Sequence, residues 1–133
     1  MDFNNVCYGR SDDNDFQVAK QHFCSQILPR YLREFEQFLN KWPRRWLIGD
    51  ELTVADFQFF EYLDHCWLMS NANDEWNVYP RVRSLMHQVR NLPELKDYFK
   101  SETFRNMPVN AKMAKFGAKV VTRDDSEHKH STN

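Results

Sequence analysis

Leu47-Ile48-Gly49-Asp50-Glu51-Leu52-Thr53-Val54-Ala55-Asp56-Phe57 is the stretch where a turn-rich connection gives way to a helix. Thr53 stands just before the first helical residue and Asp56 three positions later. At that spacing the Thr53 side chain caps the third helical amide while the Asp56 carboxylate reaches back to the Thr53 amide, a capping box with Asp in the usual Glu or Gln place. Leu52 and Phe57 flank the box at the spacing of a hydrophobic staple. Beyond it come Phe57, Phe59, Phe60, Tyr62, Leu63, Cys66, Trp67, Leu68 and Met69. A helix apolar nearly all round belongs in the middle of a bundle, with neighbours on most sides.

Upstream, residues 15–40 contain no Gly, and Phe16, Ala19, Phe23, Ile27, Tyr31, Phe35 and Phe38 recur in steps of three or four. A second row, Cys24, Leu28, Leu32, Phe35 and Leu39, lies beside the first, which predicts one long helix with a broad apolar face. Lys20, Arg30, Arg33, Glu34 and Glu36 fall off these rows, where water is expected. Pro29 removes a backbone donor and collides with the carbonyl four residues back, so the helix should bend near residues 25–29 without stopping. Residues 41–52 then form a connection whose Trp42 and Trp46 are expected to cover the end of the core. Arg44-Arg45 between those Trp residues has the ingredients of a nucleic-acid contact, but two charges in a balanced chain read more simply as a solvated loop.

Downstream, residues 70–78 read as a polar loop, and Pro80 suits the first turn of a further helix with Val82, Leu85, Met86, Val89 and Leu92 as its stripe. Pro93 marks a boundary before a short helix carrying Leu95, Tyr98 and Phe99. Residues 104–116, broken by Pro108, suggest a packed strap with a short helical turn. Residues 122–133 hold no apolar side chain and predict a polar, disordered tail. Nowhere do β-branched residues alternate with polar ones over a strand length. The expectation is an all-α domain over residues 1–121, a bundle of about five helices, followed by the tail.

Composition narrows the function classes. The 133 residues carry 18 Lys and Arg against 19 Asp and Glu, which leaves no electrostatic footprint for sequence-independent nucleic-acid binding. A chain of this mass buries roughly two thirds of its unfolded surface, so neither disulfides nor metals are required. Cys7, Cys24 and Cys66 are odd in number and without CxxC spacing, which reads as reduced thiols; no His or Cys cluster has zinc-site spacing, and no metal is expected. Gly9, Gly49 and Gly117 are too few and too scattered for a phosphate loop. Asp56 and Asp64 lie about two helical turns apart, and for Asp56 the capping role is the simpler reading than acid–base work. No stretch approaches the ~18 apolar residues of a membrane span and the N-terminus lacks a signal-peptide pattern, so a cytoplasmic address and no membrane partner are expected.

The segment 47–57 resembles the pattern with which cytosolic glutathione transferases open the central helix of their C-terminal domain. Three further stretches resemble the mu class: Val6-Cys7-Tyr8, Leu28-Pro29 followed by Phe38-Leu39, and Pro108-Val109-Asn110-Ala111-Lys112-Met113-Ala114-Lys115-Phe116-Gly117. With the helix opened by Tyr79-Pro80, the resemblance covers about residues 6–119. It implies a helical domain that packs against a thioredoxin-like domain, which would precede Met1 and would supply most of the glutathione site and the thiolate-stabilising tyrosine. Glutathione is then a co-substrate and no other cofactor is implied. This chain would be the electrophile-binding half, inactive alone, with hydrophobic electrophiles or apolar ligands as partners and either a homodimer or pairing with a thioredoxin-like domain as its assembly. No catalytic residue is assigned within the chain.

By the same resemblance, Tyr8 matches a tyrosine whose hydroxyl assists some additions to electrophiles; packing on a helix face accounts for it equally. Asn110 stands where the mu pattern often has an aromatic at the substrate pocket, giving a more polar wall. Met1-Asp2 is similar to the Met-Asp that reaches a neighbour's glutathione across the dimer, although Asp2 lies about one helical turn too near Tyr8. A non-catalytic helical module that binds ligands or proteins is the alternative function.

Overall fold

Two long helical runs organise the chain, and the shorter elements pack around them. The computed structural model describes residues 2–71, 74–110 and 113–118, so the expected tail at 122–133 lies outside the described residues. In chain order come α1 (Phe3–Cys7), α2 (Asp13–His22), a π-helical segment (Phe23–Ile27), α3 (Leu28–Lys41), α4 (Val54–Met69), a 3-10 turn (Asp74–Val78), α5 (Pro80–Arg90), α6 (Lys96–Lys100) and α7 (Glu102–Arg105). No strand occurs among the described residues, and the fold is the all-α bundle expected.

The first run is continuous from α2 through α3, and just ahead of Pro29 it contains the π segment. There the ladder slips by one residue, the Leu28 amide bonding to the Phe23 carbonyl five positions back. One extra residue rotates everything that follows by about 100°. The buried positions record the slip: Phe16, Ala19 and Phe23 before it, then Leu28, Leu32, Glu36 and Leu39 after it. The row that regular spacing carries onward, Ile27, Tyr31, Phe35 and Phe38, turns progressively outward until Phe38 is 42% exposed.

That rotation corrects one expectation directly: Glu36, assigned to water, is buried. It accepts the amides of Arg81 and Val82 at the start of α5, each at 2.9 Å. α5 needs this partner. Its N-cap position is Tyr79, which makes no side-chain cap, and Pro80 has no N–H to satisfy. A carboxylate at that end also meets the positive pole of the helix dipole.

α4 is the centre, as its composition predicts. Phe60, Leu63, Cys66, Trp67, Leu68 and Met69 are buried, along with Asp56 and Asp64. Asp64 pairs with Arg90 at 2.7 Å inside the core, and the Arg90 guanidinium lies over the rings of Phe60, Phe99 and Phe104 at 5.4 to 6.0 Å. One cation thus ties the end of α5 to α4, α6 and α7. Leu52 and Phe57, spaced for a staple, remain 37% and 38% exposed.

Two aromatic expectations are corrected. Trp46 closes the end of the core, whereas Trp42 is 47% exposed and carries Lys41 and Arg44 over its ring. The segment read as a polar loop contains Trp76, which is 1% exposed, packs edge-on against Trp67 at 4.9 Å and donates to the Ser70 hydroxyl at 2.9 Å.

Candidate functional site

The residues singled out from the sequence fall in two places. Asp2 and Tyr8 bracket α1: the Asp2 carboxylate caps its start by accepting from the Asn5 amide at 2.9 Å, and Tyr8 ends it. Phe3, between them, anchors the helix by ring contacts with Phe23, Tyr62 and Phe116 at 6.1 to 6.4 Å. Tyr62 lies in the second half of α4, so Phe3 anchors α1 to that part of the helix. Thr53 and Asp56 open the same helix six or more residues earlier, about 9 Å or more along its axis.

Tyr8 is half-buried at the end of α1. Gly9, at φ +70°, turns the chain away behind it. The strap, described at residues 109–110 and 113–118, is tied by the Lys115 amide to the Cys7 carbonyl at 2.7 Å and by Lys115 Nζ to Asp13 at 3.1 Å. Asn110 sits in that strap. Its side-chain amide donates to the Phe116 carbonyl at 2.8 Å, and it hydrogen-bonds the Cys7 thiol. The strap that holds Asn110 is thereby tied to Cys7, the residue next to Tyr8. The strap closes on Gly117, whose carbonyl accepts the Val109 and Asn110 amides at 2.9 Å each. Gly117 has φ +75°, and a Cβ there would lie 2.7 Å from the Val109 Cβ, so only glycine fits.

Electrostatics at this corner disfavour nucleophilic chemistry by the chain's own thiols. Burial pushes Cys7 up to about 11 from 9.0, with the Asn110 hydrogen bond opposing only in part. Burial also raises Cys24 and Cys66. All three are protonated near neutral pH, and the thiolate is the reactive form. Among the described residues no group of three or more His, Cys, Asp or Glu is placed to hold a metal ion.

At the opposite end, Thr53 and Asp56 close a capping box. Asp56 does more than the sequence suggests. Its side chain is fully buried, one oxygen accepting the Thr53 amide at 2.9 Å and the other the Leu47 amide at 2.8 Å, nine residues upstream. It pins the 47–53 connection onto α4. Above that connection runs an open apolar groove of about 460 Å³ between α3 and α4, lined by Phe35, Phe38, Leu47, Ile48, Ala55 and Phe59 with Glu34 and Arg44 at the rim. Sequence reasoning missed this groove because it follows from the outward turn of the Phe35 and Phe38 row. It missed Glu36 for the same reason, although α5 beginning on Tyr79-Pro80 with no Ser, Thr, Asp or Asn cap was a signal that an acceptor had to come from elsewhere.

The family model described as "Glutathione S-transferase, C-terminal domain" matches residues 1–102. The chain belongs to that family. Among its relatives, Glutathione S-transferase Mu 2 of Homo sapiens is 30% identical over 119 residues, covering 90% of this chain and 50% of the relative. Glutathione S-transferase Mu 5 of Mus musculus is 32% identical over 117 residues, covering 87% and 48%. A crystal structure of the glutathione S-transferase Blo t 8 superposes with a TM-score of 0.77 at 26% identity, over 86% of this chain and 51% of that one. The chain thus spans about half the length of the curated relatives it matches. The capping box that opens α4 lies within the matched residues, and the corner holding Tyr8 and Asn110 is the candidate site. Among the described residues no helix is long and apolar enough to cross a membrane.

Proposed function

We propose that this chain supplies the electrophile-binding wall of a mu-class-like glutathione transferase, whose reaction adds the glutathione thiolate to a hydrophobic electrophile. The observation that carries the reading is the mu-class relationship over nine tenths of the chain, combined with the tie of the Asn110 strap to Cys7, next to Tyr8. In this reading Tyr8 offers its hydroxyl to the electrophile, Asn110 forms a polar part of the wall, and Asp2 is the residue that would contact glutathione across a dimer. Glutathione is the co-substrate, the assembly a homodimer or a pairing with a thioredoxin-like domain, and the address cytoplasmic. Catalysis needs a lowered thiol pKa as well as proximity. The helical domain supplies proximity only, so the 133 residues assayed alone have negligible conjugating activity.

A second reading, a non-catalytic helical module for apolar ligands or a protein partner, draws support from the open groove beside Phe38 and Ile48. Titrating the labelled chain with a chloronitrobenzene-type electrophile while following amide resonances separates the two. Shifts clustered at Tyr8, Asn110 and the neighbouring strap support the electrophile wall. Shifts confined to Phe35, Phe38, Ile48 and Phe59 count against it and favour the module.

A further inference from the structure

The arginine pair that the sequence offers as a solvated loop meets a third arginine across a small cavity. Arg44 and Arg45 come from the connection after α3, and Arg81 from the first turn of α5. With Ser84, Gln88 and the buried Trp46 they line a polar recess of about 100 Å³. Positions 81, 84 and 88 lie along one face of α5, so they point into the recess together. We propose that this recess binds a single tetrahedral oxyanion, the phosphoryl group of inorganic phosphate or of a small phosphomonoester.

Three arginines share the lining and no Asp or Glu does. Among the described residues none of the three arginines takes part in a salt bridge. Arg44 donates to the Ile48 carbonyl and Arg81 to the Leu39 carbonyl at 3.4 Å, contacts that use one N–H each and hold the side chains at the rim. Each keeps most of its five donors. Arg45 lies over the Trp46 ring at 5.9 Å with no hydrogen bond to the chain. Glu36, on the neighbouring α3, has its two oxygens taken by the Arg81 and Val82 amides and does not line the recess.

The Gln88 side-chain oxygen is buried without a hydrogen-bond partner, a rare and costly state for an acceptor. A phosphate that retains a proton answers both needs: its charged oxygens take the guanidinium donors, and its P–OH donates to Gln88. The recess, about 100 Å³, has room for one phosphoryl group.

The test titrates the full chain with inorganic phosphate and, separately, with glycerol phosphate, at ionic strength held constant with sodium chloride, reading tryptophan fluorescence and calorimetric heat. Saturable binding is expected, with Arg45→Gln and Arg81→Gln each weakening it roughly tenfold, the scale of one charge-assisted hydrogen bond. Circular dichroism confirms that the variants fold; Arg45 is exposed and bonded to nothing in the chain, so Arg45→Gln decides alone if Arg81→Gln disturbs α5. Equal affinity for the two probes points to the free anion, and tighter binding of the ester to a phosphoryl group carried on a metabolite; both support the site. Failure of both probes to saturate, or affinities unchanged in Arg45→Gln, overturns it.

Discussion

Two buried carboxylates carry more of this domain than their number suggests, and each makes a different kind of bond. Glu36 is a remote helix cap: truncating it to Ala strands two amides at the dipole end of α5. With hydrogen bonds to a charged group contributing about 1.5 to 3 kcal/mol apiece, Glu36→Ala is expected to lower unfolding free energy by about 3 kcal/mol in urea titration, and Glu36→Gln by about half as much. Asp64 instead neutralises a cation caged by three rings. Asp64→Ala takes the carboxylate away from the buried Arg90 guanidinium and is expected to cost roughly 3 to 5 kcal/mol, while Asp64→Leu combined with Arg90→Met recovers most of the loss. The cysteines set the alkaline limit. Their thiols titrate higher in the folded than in the unfolded chain, so the folded state holds its protons longer. Their stabilising effect is complete below the ordinary thiol value of 9.0 and is lost as pH rises, for Cys7 up to about 11. Urea midpoints measured from pH 8 upward should therefore fall in that window, and Cys7→Ser or Cys66→Ser should flatten the fall.

At the scale of elements, the π segment decides which faces look inward. Removing one residue from it, by deleting Ser25 together with Pro29→Ala, converts the turn to regular α-helix while keeping Phe23 and Leu28 on the same side. The helix content by circular dichroism should survive that deletion. Deleting Arg33 from the middle of α3 rotates Glu36 and Leu39 out of the core by about 100° and should abolish cooperative unfolding. The same feature explains what was legible beforehand. Helix positions followed from spacing, Pro29 marked an irregular turn, and the Thr53–Asp56 box marked the start of α4 because capping is a local event written in four residues. The form of that turn was not local information. A π turn and a simple kink have the same sequence signature here, and only the slip puts Glu36 inside and Phe38 outside. Trp76 was missed because its polar neighbours dominate a segment whose single large side chain does the packing. Tyr8 and Asn110 were named by resemblance; the tie of the Asn110 strap to Cys7, and its closing on Gly117, required the fold.

Over the whole molecule, the helical bundle ends in three distinct surfaces: the corner with Tyr8 and Asn110, the apolar groove beside Phe38, and the arginine recess under Trp46. In the proposed reading this domain receives the electrophile, and thiolate formation belongs to a companion domain. The most direct test joins the two halves: the thioredoxin-like domain of a mu-class relative is fused ahead of Met1, and glutathione-dependent turnover of a chloronitrobenzene-type electrophile is compared between this fusion and the 133-residue chain. Turnover is expected from the fusion, reduced by Tyr8→Phe for electrophiles that need a proton donor, and none from the chain alone. Turnover by the chain alone, or a folded fusion that binds glutathione and yet conjugates nothing, would contradict the proposed reading.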